Sequence, residues 1–288
     1  MNTKKILAVA LMGCVCGFIA CSNDEEVGNP HKEVKILTSV NGNATTPQVR
    51  ASIDPATGSG NLENGDIIAL HVGNGTSGTG GPHTIGSTQI YWDDLIANNG
   101  NAPFDFLAFY PNVNIVDLQF GFNAATAANP DLLSAYDPGV NEGETVNLAF
   151  NHIMHKLVVN LSSDDYNANQ LANAAISLKN LKSTAIVDTS DGTVDIFTAK
   201  DTDVYPTQTG ANTSFIVAPQ MLAPAAGLDL VEIAVDGKTF TYKIPADLNV
   251  LRFESGRVLT LNLELKKDSG TVGDSGSDYN PGGGIPWN

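Results

Sequence analysis

Period-two alternation of apolar residues, broken at short intervals by turn residues, limits what this chain can fold into more than any other feature. Val231, Ile233 and Val235 alternate up to Asp236-Gly237, and Phe240, Tyr242 and Ile244 alternate beyond it. Asp-Gly between two such runs predicts a hairpin with a type I′ turn, because both central residues need positive φ. Asp191-Gly192 predicts a second hairpin, joining Thr184–Asp188 to Thr193–Thr198. In the run from Val258 to Leu265, Leu259, Leu261, Leu263 and Leu265 fall on one side. Earlier runs place Ile68, Leu70 and Val72 on one face, Phe104, Phe106, Ala108 and Tyr110 on another, and Ile153, Leu157, Val159 and Leu161 on a third. Helical spacing is confined to Tyr166–Ala175, where a turn or two fits. An all-β fold follows. About a dozen short strands exceed one comfortable sheet, so β-sandwich packing is expected.

The least patterned stretch, Pro111 to Thr145, reads as a long loop with the domain seam at its end. This divides the body into an N-terminal β-sandwich domain over 33–148 and a C-terminal one over 149–267, followed by a Gly/Ser-rich tail over 268–288.

Composition narrows the function. The chain has 288 residues, 42% hydrophobic, enough for a real core. Only 16% are charged, and 31 Asp plus Glu against 15 Lys plus Arg give a formal charge of −16. That field repels nucleic acid, and no basic cluster offsets it. The three cysteines, Cys14, Cys16 and Cys21, all lie near the N-terminus, so the body has no disulfide framework, thiolate metal site or cysteine nucleophile.

No residue set points to catalysis, a metal or a cofactor. His152 and His155, read on one strand, project to opposite faces and serve structure. Asp188, Asp191 and Asp195 do not have calcium-loop spacing and read as turn caps. The glycine-rich segment Gly73 to Gly81 lacks the Lys-Ser/Thr ending of a phosphate loop and reads as a flexible loop.

Residues 1–20 form an address. Lys4 and Lys5 precede an apolar run from Ile6 to Ala20, too short for a comfortable span. Phe18-Ile19-Ala20-Cys21 resembles a lipobox, which implies cleavage before Cys21 and acylation (diacylglycerol and palmitate) on its thiol. Leu11-Met12-Gly13-Cys14 fits more loosely and would leave a shorter apolar run. The tether that follows, 21–32, begins with the acidic Ser22-Asn23-Asp24-Glu25-Glu26, similar to the surface-export signal of lipoproteins in Gram-negative anaerobes.

Several segments, in order, resemble the fimbrillin family of pilins from such bacteria. They are Val49-Arg50-Ala51-Ser52, Asn64 to Leu70 (NGDIIAL), Phe106 to Pro111 (FLAFYP), Asp131 to Ala135 (DLLSA), Val146 to Leu157, and Phe253 to Arg257 (FESGR). The resemblance implies two transthyretin-like β-sandwich domains in tandem on an outer-membrane lipoprotein that becomes part of an adhesive fimbrium. It implies that the first strand, with Val34, Ile36 and Val40 on one face, is released when a trypsin-like protease cuts between Arg50 and Ala51. A strand from another pilin subunit would then fill the gap. The tail is the expected donor, yet Val272, Tyr279, Ile285 and Trp287 are its only sizeable apolar residues. Either the donor is short or the subunit sits at a fibre end. The bland alternative for Arg50 is a solvated loop arginine. A rival reading is a surface lipoprotein binding glycans for polysaccharide uptake; it calls for a flat aromatic platform, yet outside the tail the body has a lone tryptophan, Trp92, near Tyr91.

Overall fold

The computed structural model describes residues 31–40, 52–53, 60–74, 77–189, 195–198, 205–277, 279 and 285–287. Cys21, Arg50, Ala51 and the Asp191-Gly192 turn lie outside the described residues.

The chain opens with β1 (Lys35–Val40), β2 (Ser52–Ile53), β3 (Gly60–Asn61), β4 (Ile67–Asn74) and β5 (Ser77–Thr84), then α1 (Trp92–Asn99). Next come β6 (Phe104–Tyr110), β7 (Gln119–Asn123), β8 (Leu133–Val140), β9 (Thr145–His152), β10 (His155–Ser162) and α2 (Ala168–Ala172). They are followed by β11 (Ala175–Leu178), β12 (Thr184–Asp188), β13 (Asp195–Thr198), β14 (Gln208–Thr209), β15 (Asn212–Val217) and β16 (Gln220–Leu222). The series closes with β17 (Asp229–Val235), β18 (Lys238–Lys243), β19 (Leu251–Phe253), β20 (Arg257–Lys266), β21 (Thr271–Asp274) and β22 (Ile285–Pro286). The fold is all-β, as expected from the alternation.

Two apolar cores organise these strands. The first lies on one face of the sheet β2-β3-β1-β9-β8-β6-β4-β5. Ile68, Leu70 and Val72 of β4 meet Phe104, Phe106 and Ala108 of β6 and Val146, Leu148 and Phe150 of β9, with Trp92 and Leu95 of α1 packed on them. The second core fills the space among β15-β10-β20-β21, β14-β11-β17-β18 and β13-β12-β7. Leu157 and Val159 of β10, the four leucines of β20 and Ile233 and Phe240 of the β17–β18 hairpin form its centre. At that hairpin Asp236 and Gly237 have φ of 50° and 74°, the type I′ pair the Asp-Gly signal predicts. β12 and β13 also pair antiparallel, Asp188 opposite Asp195. The short helix expected in Tyr166–Ala175 is α2, closed by a capping box between Asn167 and Gln170.

Three expectations need correction. The stretch Pro111 to Thr145 is not one loop: it holds β7, which pairs with β12, and β8, which pairs with β6 and β9. Its signal is weak because β7 carries only Phe120 and Phe122, and β8 shifts register against β6 and contains Pro138 and Gly139. The glycine-rich Gly73 to Gly81 is not a flexible loop either, since it runs from the end of β4 into β5, the sheet's outer strand. Gly78 belongs there because a Cβ would come within 2.5 Å of the Val72 carbonyl oxygen. His152 and His155 are not on one strand, because β9 ends at the first and β10 begins at the second. Trp92, for its part, offers the rival reading no surface platform. It is 1% exposed, at the start of a helix absent from the sequence reading, and packs between Phe104 and Phe106.

β6 is buried on both faces. Phe104, Phe106 and Ala108 enter the first core, while Leu107 and Phe109 enter the second, where Phe109 meets Phe120 edge-on at 4.9 Å. Because Phe150 is wholly enclosed in the first core, Phe150→Ala is expected to destabilise the protein by about 3–5 kcal/mol in urea unfolding. His155 gives a second measurable consequence. Its Nδ1 donates to the Glu254 carbonyl at 2.9 Å, and burial holds its pKa down to about 4. The unfolded ring takes a proton near pH 6.5, so the folded state binds fewer protons between the two values. Its contribution is complete above about pH 6.5 and is lost as pH falls toward about 4. Between pH 7 and pH 4.5 wild type should lose about 2 kcal/mol more stability than His155→Gln, read by urea unfolding at each pH.

Candidate functional site

The residues expected to take part in strand exchange fall in two places joined by β9. The first is β1, which lies parallel to β9 in unbroken register from Lys35 opposite Thr145 to Val40 opposite Phe150. Val34 and Val40 are buried and Ile36 is half-buried in the first core, so the three do share an inward face. Leu37 points the other way and is 51% exposed. Upstream, Val34 N–H donates to the Ile90 carbonyl at 2.8 Å and Trp92 N–H to the Lys32 carbonyl at 2.9 Å. Among the described residues, β1 meets β3 at one pair, Val40 opposite Gly60. Thus β1 is central to the core through its side chains and is held along β9 by its backbone.

The second place is the tail. β21 pairs antiparallel with the end of β20, and β22 pairs with its beginning, Ile285 opposite Val258 and Pro286 opposite Arg257. Between them Ser275 N–H donates to the Asn262 carbonyl, and Asn262 N–H donates to Ser277 Oγ. Tyr279 hydrogen-bonds through its hydroxyl to that of Tyr242, and burial pushes its pKa up. The segment ends in Trp287, which is only 5% exposed. Its indole stacks on the His152 imidazole at 3.8 Å and 16°, Lys156 Nζ sits 5.2 Å from the ring centroid, and the Trp287 backbone N–H donates to the Gly256 carbonyl at 2.9 Å. His152 Nδ1 is held in turn by Asp131 Oδ1 at 2.8 Å.

The seat of Trp287 was not legible in the sequence. His152, Lys156 and Gly256 lie far from it along the chain, and nothing in their spacing marks them as neighbours. Val34, Ile36 and Val40 do not touch this seat. They line β9 along its length, and Trp287 caps the residue that ends it.

Among the described residues, one further group of metal-ligating side chains stands close together. His31, Asp93 and Asp94 cluster at the surface, with His31 Nδ1 2.7 Å from Asp93 Oδ2, where the carboxylates also face the first turn of α1.

No curated protein matches the chain in sequence. Among solved structures, a candidate cell-adhesion protein from Bacteroides uniformis is similar over 89% of this chain and 99% of its own, with a TM-score of 0.62 at 19% identity. A counterpart from Bacteroides ovatus gives a TM-score of 0.57 at 15% identity, covering 86% of this chain and 98% of that one. One from Bacteroides thetaiotaomicron gives 0.53 at 20% identity, over 86% and 100%. At these identities the likeness is one of fold. The fimbrillin-like family model matches residues 40–276, most of the body and both cores, and the chain therefore belongs to the fimbrillin-like family.

Proposed function

We propose that this chain is a structural subunit of a cell-surface fimbria, assembled by strand exchange and used in adhesion, with no catalytic role of its own. Family membership supports the pilus role. The observation that supports the assembly route is β1, a strand that fills the first core with Val34, Ile36 and Val40 and pairs with β9 along six positions. In this reading residues 1–20 direct export, Cys21 carries the acyl chains that hold the precursor on the outer membrane, and 33–148 and 149–267 are the two domains. A trypsin-like protease then cuts between Arg50 and Ala51, and β1 leaves.

Loss of β1 would strip β9 of its partner along six paired positions and open an apolar trough where Val34, Ile36 and Val40 had been. Each of these side chains contributes about 1.5–3 kcal/mol when fully buried, and each backbone hydrogen bond about 1 kcal/mol net. While β1 is tethered, its high local concentration excludes a competing strand. After cleavage it is a free peptide that diffuses away, so an incoming strand of comparable chemistry prevails. β-Augmentation by a second subunit then repairs the first core and links the two molecules. Repeated head to tail, the contact grows a filament.

The tail is the proposed donor, with Ile285 and Trp287 as its apolar anchors. Before assembly it lies along its own β20, so donation requires Trp287 to leave His152 and the β22 pairing to break.

Two experiments test this reading. Limited trypsin treatment of chain beginning at Cys21 should yield a product beginning at Ala51 and ladders resistant to mild detergent. A surface-isolated form that still begins at Cys21 and stays monomeric would count against it. Trp287→Ala should speed amide exchange of β21 at least tenfold while β10 keeps its protection, because the substitution removes the tail's one enclosed aromatic anchor.

A further inference from the structure

Among the described residues, β5 is an end strand of the eight-stranded sheet, and no strand pairs with its outer edge beside α1. The inner face of β5 carries Thr79, Gly81 and His83, opposite Val72, Leu70 and Ile68 of β4. Glycine weakens a strand interior, and often marks a place where something else approaches. Gly81 has no conformational need to be glycine: its φ is outside the left-handed region, and a Cβ built on it would meet no atom within 4 Å. What the missing side chain provides is space, a chamber of about 270 Å³ between β5 and α1. Across His83, Thr88 and Gln89 a second chamber of about 430 Å³ continues toward Val34 and Ile36.

The walls have a definite chemistry. Tyr91, Asp94 and Asn98 line one flank of the smaller chamber at helical spacing, and the Tyr91 hydroxyl is fixed by donation to Gln89 Oε1 at 2.8 Å. His83 lines both chambers, is 6% exposed, and its Nδ1 has no hydrogen-bond partner. Burial keeps its pKa low, so the ring is neutral and holds one donor and one acceptor nitrogen. Buried polar atoms without partners are rare, and one on the wall of a cleft asks for a ligand group or water. No lysine or arginine lines the smaller chamber, while Asp94 brings negative charge to it within a chain of −16. Phosphate, sulfate and carboxylate ligands are thereby disfavoured. An imidazole, an amide and a carboxylate around apolar walls suit a ligand dense in hydroxyls with a C–H face.

We propose that the cleft between β5 and α1 binds the terminal unit of an uncharged glycan, with Asp94, Asn98 and His83 bonding its hydroxyls and Tyr91 covering its apolar face. Residues of β1 line only the second chamber, and neither the seat of Trp287 nor Trp92 lines the smaller one that holds the sugar. Monomeric, uncleaved chain should therefore bind.

The test is retention of the full monomeric chain on immobilised neutral oligosaccharides ending in glucose, galactose, mannose or N-acetylglucosamine, beside sialylated and sulfated sets and a lysine-rich peptide. Retention is expected on at least one neutral sugar and not on the acidic sets or the peptide. Gly81→Val, which fills the chamber, should weaken it at least tenfold. Asn98→Ala, an exposed change that leaves the melting temperature in place, should also weaken it at least tenfold, and Met221→Ala on β16 should not. Binding to no neutral sugar, binding only to the acidic sets or the peptide, or undiminished binding by both cleft variants would overturn the proposal. Failure here with normal ladder formation after trypsin would leave the fimbrial reading standing.

Discussion

The first core and both proposed exchange elements meet on β9. Its inward residues Val146, Leu148 and Phe150 build the first core, and its backbone carries β1 along one edge. On the other edge it pairs with β8 at Leu133 and Ser134. Its last residue, His152, is anchored by Asp131 and covered by Trp287. A strand in this position is stable only while both edges are satisfied, because unpaired backbone groups in an apolar setting are costly. The two ends of the described chain, β1 and the tail, both finish on it.

That arrangement has an energetic logic. β1 contributes through side chains enclosed in the core and pairs along β9, while among the described residues its other backbone partners are Gly60 at Val40 and, just upstream, Ile90 at Val34. The tail is held by both kinds of contact too. Two short strands and the hydrogen bonds of Ser275 and Ser277 hold it to β20, whose opposite edge is locked in parallel pairing with β10, while its indole rests on His152 of β9. Both elements therefore combine buried apolar side chains with backbone pairing to a neighbouring strand. Under the proposed assembly, these are the properties a replaceable strand and a donor require.

Much of the fold was legible in the sequence, and the exceptions share causes. The β17–β18 hairpin, β20 and the inward faces of β4 and β10 follow from strict alternation and the Asp-Gly turn. β7 and β8 were missed because a strand with two apolar residues, or with a proline and a shifted register, has too little pattern to stand out. β5 was missed because glycines there serve close approach at Gly78 and open space at Gly81, roles that only neighbouring atoms define. The burial of Trp92 could not be read because an aromatic residue beside polar ones looks the same in sequence whether its helix turns it outward or into Phe104 and Phe106. Val34, Ile36 and Val40 were placed correctly on one face, since that needs only the two-residue repeat of a strand.

The amino-acid order alone determined the β class, the inward side of each well-patterned strand and the conformation of the Asp236-Gly237 turn, because strand geometry and positive φ act over a few residues. Tertiary structure alone decided that β1 runs parallel to β9, that β6 serves two cores, that Trp287 rests on His152, and that a cleft opens beside Gly81. Those outcomes depend on which surfaces come together across long chain separations, and short-range periodicity carries no information about that choice.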